Sequence, residues 1–240
     1  MDKVKIKRYI PAVLFGVMGL TGLGIAIYPM LSNYIKQSQQ EQIVEEYRQQ
    51  TAELEQQKYD VLYEQAKEYN RRLYEEDIDI IKMESYKPEL LEAGLDYNKL
   101  LRVEEEAVMG YLNIEKLDVC LTIDYGTEEE VLQKAVGHME GTSMPIGGEN
   151  THAVLFGHRG LPSAKLFTDL DQLVIGDTFQ IHVLDRTLNY EVDQILVVTP
   201  EETDDLMIED GKDYVTLVTC TPYAVNTHRL LVRGVRVPEY

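Results

Sequence analysis

Cys220 stands at the end of a run in which β-branched and aromatic residues alternate, Tyr214 to Thr219, and Pro222 stops that run two residues later. The run reads as a strand with a thiol at its terminus. A second strand-like run, Leu230 to Arg236, follows a short connection and leaves directly from Arg229. If the two runs pair, Cys220 and Arg229 meet at one end of a sheet. A thiol beside a guanidinium is a nucleophile with a charge that can stabilise an oxyanion. Such a pair still needs a base, and histidine is the side chain whose ordinary pKa suits that work.

The chain has five histidines: His138, His152, His158, His182 and His228. His182 sits inside the alternating strand Phe179 to Val183 and reads as structural. His152 opens the strand His152 to Phe156. His158 follows that strand in a Gly-flanked turn, Gly157-His158-Arg159-Gly160, and a strand end before a loop presents a side chain to solvent from a rigid scaffold. His138 lies in a loop rich in Gly and Pro and reads as a loop-fixing hydrogen bonder. His228 precedes Arg229, and in a strand neighbours point to opposite faces, so the two cannot both face Cys220.

Other chemistries find little support. Zinc wants three or four ligands at short characteristic spacings. Cys120 and Cys220 lie far apart, and no His-x-His or Cys-x-x-Cys occurs. No Gly-x-Ser-x-Gly elbow is present for a serine nucleophile. No metal and no cofactor is expected. Cys120, in Leu117-Asp118-Val119-Cys120-Leu121, reads as a small packed residue, and a bridge to Cys220 would disarm the thiol.

The motif Thr216-Leu217-Val218-Thr219-Cys220 resembles the TLxTC signature of sortases, the cysteine transpeptidases of the Gram-positive cell surface. Thr221-Pro222-Tyr223 through Asn226-Thr227-His228-Arg229 resembles the form of the pilus-assembling class C branch. So do Gly137-His138-Met139-Glu140-Gly141-Thr142-Ser143-Met144-Pro145 and Gly157-His158-Arg159-Gly160-Leu161-Pro162-Ser163-Ala164-Lys165-Leu166-Phe167. The resemblance spans about residues 84 to 236. It implies Cys220 as nucleophile, His158 as the acid that protonates the leaving amine, and Arg229 as oxyanion or substrate holder. It implies an LPxTG-type sorting motif on a surface protein or pilin as donor, and a pilin lysine or a cell-wall amine as acceptor. It also implies a lid before the barrel. Class C lids carry an Asp-Pro-aromatic tripeptide, and no Asp-Pro occurs here. Tyr86-Lys87-Pro88-Glu89 stands about where it should be, with Lys87 in the aspartate's place. Many class C members also have a second membrane helix after the barrel, and none follows here.

These groups must be carried by a chain of 240 residues, enough for one good-sized domain and an appendage. The formal net charge of −19 argues against nucleic acid, whose phosphates demand a basic face. Lys3, Lys5, Lys7 and Arg8 precede about 22 residues without a charge, Ile10 to Leu31, long enough to span a bilayer as a helix. The alternative is a cleaved signal peptide, with an apolar region of about 7–15 residues and a small-x-small site. The longer run favours an uncleaved anchor in the cell membrane, basic flank in the cytoplasm and the catalytic domain outside.

Lys36 to Lys82 holds no Gly and no Pro and is rich in helix formers. Ile43, Tyr47, Leu54, Leu62, Ala66, Tyr69, Leu73 and Ile80 fall on one apolar stripe. The stripe suits a spacer packed on the domain, or a coiled-coil surface for a partner. Beyond Glu106 the period falls to two. Strands are expected at 108–114, 117–123, 152–156, 178–184, 187–193, 194–199, 214–219 and 230–236, with short helices at 128–134 and 163–173. About eight short strands broken by Gly, Asp and Pro suggest a mainly β barrel or sandwich, and the resemblance implies an eight-stranded sortase barrel. The expected organisation is a cytoplasmic tail and anchor at 1–31, a juxtamembrane helical segment at 32–83, a lid and linker at 84–106, and a catalytic barrel at 107–240. The rivals to pilus polymerisation are a sortase that anchors proteins to peptidoglycan and a non-catalytic membrane-tethered adaptor.

Overall fold

A computed structural model describes residues 3–104, 108–160 and 164–238, with side chains from residue 15 onward. Leu161-Pro162-Ser163 of the histidine motif, and the expected boundary between residues 106 and 107, lie outside the described residues. Eight strands close into a barrel: β1 (Gly110–Ile114), β2 (Val119–Tyr125), β3 (Val136–His138), β4 (Thr151–Phe156), β5 (Thr178–Val183), β6 (Arg186–Val198), β7 (Asp213–Thr221) and β8 (His228–Val237). Their order around the barrel is β1-β2-β3-β4-β7-β8-β6-β5. The sheet pairs antiparallel except at β2–β3 and β4–β7, which are parallel.

The eight expected strands and the eight observed ones differ in two places. The runs 187–193 and 194–199 form the single strand β6, bent by a bulge between Val192 and Gln194. A bulge bends a strand and leaves its ladder on either side intact. The strand that restores the number is β3, three residues long and too short to show alternation. The helix expected over 163–173 is a set of turns with a 3-10 turn at Leu170–Gln172. That at 128–134 is α4 (Glu129–Leu132).

The expected helix over 36–82 is two helices. α1 (Lys3–Ala52) runs unbroken from the apolar segment, and α2 (Gln56–Glu75) begins after a turn at Glu53–Glu55. The apolar stripe packs on the barrel: Tyr47, Leu62, Ala66, Tyr69 and Leu73 are buried in the same core as Leu112, Ile123 and Ile181. Polar links reinforce this seam. Gln40 accepts from the Thr122 N–H (2.8 Å) and hydroxyl (2.9 Å), and donates to the Lys134 carbonyl (2.8 Å). The Tyr47 hydroxyl accepts from the Leu184 N–H (2.7 Å) and donates to the Met109 carbonyl (3.1 Å). Burial pushes the Tyr47 phenol well above its usual range. α1 is the one helix among the described residues long and apolar enough to cross a membrane.

Candidate active site

Cys220 and Arg229 face each other across the β7–β8 ladder, next to the pair Thr221 and His228. Cys220 is a free, half-buried thiol. Residues two apart on a strand share a face, so Cys220 shares a side of β7 with Val218 and Thr216. Parallel pairing of β4 with β7 sets Phe156 beside Val218, and the chain continues to Gly157 and His158. Two bonds fix that continuation. The Gly157 N–H donates to the Val218 carbonyl (3.0 Å), and the buried Thr219 hydroxyl donates to the Gly157 carbonyl (2.7 Å). The final threonine of the TLVTC motif thus ties the histidine turn to the cysteine strand. A Cβ on Gly157 would come within 2.5 Å of the Phe167 ring, so only glycine fits there. Sequence reasoning placed Cys220 and Arg229 at adjoining strand ends and His158 at the end of another strand; β4, β7 and β8 lie side by side in the barrel.

Several groups around them were not foreseen. The His158 Nε2 lies 3.1 Å from a Glu129 carboxylate oxygen at the start of α4. A hydrogen bond from Gln133 and the charge of His158 hold the Glu129 carboxyl below the usual carboxylate range. Arg159, largely buried, donates to the Thr221 hydroxyl (3.3 Å) and pairs with Asp171, bracing the histidine turn against the end of β7. Gly160, at a φ of +79°, lets the Tyr223 ring approach. The Arg229 guanidinium donates through Nη1 to the carbonyls of His228 (3.2 Å) and Asn226 (3.4 Å). The only advance signal for Glu129 was its place in a short helix before the Gly137-His138 motif.

Three other histidines, His138, His152 and His182, are structural. His138 is fully buried, with Nε2 donating to the Ser143 carbonyl (2.8 Å) and Nδ1 lying 3.1 Å from the Tyr97 hydroxyl. His152 is buried between the Met207 carbonyl (2.8 Å) and the Thr216 hydroxyl (2.7 Å). Burial lowers both to about 4, so each is neutral at pH 7. His182 stacks on Tyr111, and burial lowers it to about 4 as well. Cys120 packs at the core margin, and burial raises its thiol above the usual range. Among the described residues no group of acidic, histidine or cysteine side chains could hold a metal ion.

Below Cys220, the outer face of β4, β7 and β8 is an apolar strip of Val154, Val218 and Leu231, flanked by Phe156, Leu196 and Val198. Ile80, from the turn after α2, packs on this strip. The segment expected to be the lid is helical and makes its polar contacts with other groups. Tyr86, Lys87, Pro88 and Glu89 are inside α3 (Met83–Glu92). Tyr86 is buried and its hydroxyl donates to Glu76; Lys87 pairs with Glu84 and Glu140, each at 2.9 Å. None of the four makes a hydrogen bond or ion pair with Cys220, His158 or Arg229. Lys87 finds two carboxylates within reach of α3, which suits a cation better than the neighbourhood of Arg229.

A family model for the sortase domain matches residues 112–237, more than half of the chain. The chain belongs to the sortase family. That family consists of cysteine transpeptidases. Among solved structures, sortase C1 from Streptococcus agalactiae is 46% identical, with a TM-score of 0.75 over 82% of this chain and 98% of that one. Sortase C from Clostridium perfringens, solved with the C-terminal cell wall sorting motif, is 42% identical, with a TM-score of 0.67 over 82% of this chain and 98% of that one. Curated relatives include sortase D of Bacillus subtilis, 29% identical over 131 residues, and sortase A of Bacillus anthracis, 29% identical over 134. Those matches cover 53% and 55% of this chain, and 63% and 61% of the relatives' own lengths.

Proposed function

We propose that this sortase is a membrane-anchored transpeptidase of the class C kind, which joins pilins through an LPxTG-like sorting motif. The Cys220–Arg229 cross-strand pair, with His158 tied beside it through Thr219 and Gly157, carries the reading. The Cys220 thiolate attacks the scissile carbonyl carbon; an S–C bond forms and the C–N bond breaks. His158 gives its proton to the leaving amine. A lysine amine of the next pilin then attacks the thioester, passes a proton back to His158 and releases the thiolate. The thioester divides one hard exchange into two easier ones.

Arg229 is the cation for the oxyanion, and its planar fork offers donors beyond the one nitrogen now held by its own loop. The Glu129 carboxylate accepts from the His158 Nε2–H and so leaves Nδ1 as the nitrogen that takes up and gives back the transferred proton. The sorting motif lies on the apolar strip, which requires Ile80, and the Met139 and Leu206 side chains packed with it, to give way. The likeness to class C structures favours a pilin lysine over a cell-wall amine as acceptor. A free, half-buried thiol on the shared end of three strands argues against a non-catalytic adaptor. The anchor is the apolar first half of α1, with the barrel outside.

The test is incubation of the protein with sorting-motif peptides and pilins, followed by mass spectrometry. Wild type should show a thioester on Cys220 and covalent pilin ladders, and Cys220→Ala should show neither. Products carrying only a cell-wall amine would reassign the enzyme to peptidoglycan anchoring. A covalent adduct in Cys220→Ala would remove the nucleophile assignment.

A further inference from the structure

Val174 and Ile175 form an exposed aliphatic pair at the turn before β5, 55% and 60% exposed. Leu173 beside them is buried, so the turn is pinned at its root while its tip stands free. The tip is well formed: the Val174 N–H donates to the Asp177 carboxylate (2.7 Å), Asp177 pairs with Lys116 (2.6 Å), and the Gly176 N–H donates to the Val192 carbonyl (2.9 Å). A braced turn that offers two β-branched aliphatic side chains to water calls for a partner surface.

Its height along α1 identifies that surface. The Tyr47 hydroxyl bonds the Leu184 N–H at the far end of β5, which levels those two residues. From Leu184 back to Thr178 the strand covers about 20 Å, at roughly 3.3 Å per residue. Along a helix rising about 1.5 Å per residue, that is about 13 residues, from Tyr47 to Tyr34. A strand tilt of about 40° shortens the run to roughly 15 Å, about 10 residues, ending near Gln37. The tip at 174–176 lies beyond Thr178, and so closer still to Leu31, where the apolar run stops. A cavity of about 210 Å³ confirms the level independently, because Asn33 and Lys36 line it together with Glu115, Asp118 and Lys165. Glu115 adjoins Lys116, the ion-pair partner of the tip. The polar layer of a bilayer is roughly 5–7 Å deep on each side, about four residues of helix. The tip therefore falls within that layer when α1 stands across the membrane.

We infer that the Val174–Ile175 turn is a second membrane contact, which dips into the interface of the leaflet that α1 leaves and holds the barrel against the lipid surface. The inference rests on α1 being the anchor.

The chain holds no tryptophan, so a single introduced one reports its own surroundings. Full-length Ile175→Trp and Val174→Trp, reconstituted in phosphatidylcholine–phosphatidylglycerol vesicles, are compared with Ile25→Trp in the apolar run and Val61→Trp on α2. Val61 is 52% exposed at the far end of the barrel, near Tyr63 and its partner Arg186. Both tip variants should emit to the blue of Val61→Trp and lose intensity on vesicles with brominated acyl chains, though less than Ile25→Trp. Val61→Trp should be unaffected. Tip emission equal to that of Val61→Trp, with Ile25→Trp still quenched, would overturn the inference and leave the anchor standing. Loss of quenching in Ile25→Trp as well would overturn the anchor itself, and the inference with it. Circular dichroism confirms that each variant is folded, and agreement between the two tip positions guards against a local effect of either substitution.

Discussion

Two walls of the barrel solve opposite problems. On the wall of β1 and β2, α1 is held by polar groups sunk into the core: Gln40 bonds three groups and Tyr47 two, all across the helix–sheet seam. On the wall of β4, β7 and β8, the reactive side chains stay half-exposed. Their partners are an exposed carboxylate on α4 for His158 and loop carbonyls for Arg229, while Ile80, Met139 and Leu206, from three separate connections, rest on the apolar strip. Buried hydrogen bonds are costly to leave unmade, whereas exposed ones exchange with water at little cost. The first wall is built to stay shut, and the second to be opened by a substrate. Polar groups beneath the reactive wall behave like those of the first: Thr219 and Thr216 are buried and bonded. Rigid backbone thus carries loosely held chemistry.

Substitutions should separate the walls by what they damage. His158→Ala should lower kcat/KM by about 10²–10⁴-fold, the usual worth of a general acid–base group, with Tm unchanged. Arg229→Lys should follow at the lower end of that range, because an ammonium lacks the planar fork. Steady-state transpeptidation beside a thermal melt distinguishes the two effects; a fall in Tm to match the fall in rate would erase the contrast.

The buried histidines give a pH signature to the framework alone. His138 and His152 are held at about 4 in the folded chain, against an ordinary value of about 6.5. Between those values the unfolded chain binds protons that the folded chain refuses. Their contribution is therefore complete above about pH 6.5 and is lost as pH falls towards 4, by an order of a few kcal/mol in all. Urea unfolding at several pH values measures this, and a flat midpoint across the interval would contradict it.

Gln40→Ala strips partners from the buried Thr122 N–H and should cost about 1–3 kcal/mol of stability. In folded enzyme its kcat/KM should stay near wild type, which urea titration and kinetics on one preparation would show. On the reactive wall, Ile80→Ser should speed alkylation of Cys220 and leave Tm almost unmoved; an unchanged rate would mean that Ile80 does not restrict access. Glu129→Gln should have the smallest effect, a few-fold fall in kcat with a displaced pH profile, because an exposed ion pair contributes little. A profile that keeps its wild-type shape would reduce Glu129 to a bystander.

The strand ends that carry the thiol, the histidine and the arginine were legible because alternation and punctuation by Gly and Pro mark local geometry. The closed eight-stranded barrel was legible as a number, through two departures that cancel. A bulge at Val192/Gln194 interrupts period two without ending β6, and β3 survives at three residues because parallel pairing with β2 and antiparallel pairing with β4 hold it from both sides. The break at Glu53–Glu55 left no trace, since no Gly or Pro marks it; packing of α2 on the barrel turns the chain there. Tyr86 to Glu89 read as a lid by position and by Pro88, yet the helix continues through the proline and buries Tyr86. Ile80 looked like one more member of a helical stripe. Its place on the reactive wall depends on where α2 ends, a tertiary matter that periodicity does not encode.

The unbroken course of α1 has a rotational consequence. A helix turns by about 100° per residue, and α1 enters the barrel seam without a swivel. One residue added between Leu31 and Gln40 would swing the barrel by that angle around the helix axis. The compass bearing of Cys220, and hence the side from which a second chain can be offered to it, is written into the number of residues between the last apolar turn and the first buried glutamine.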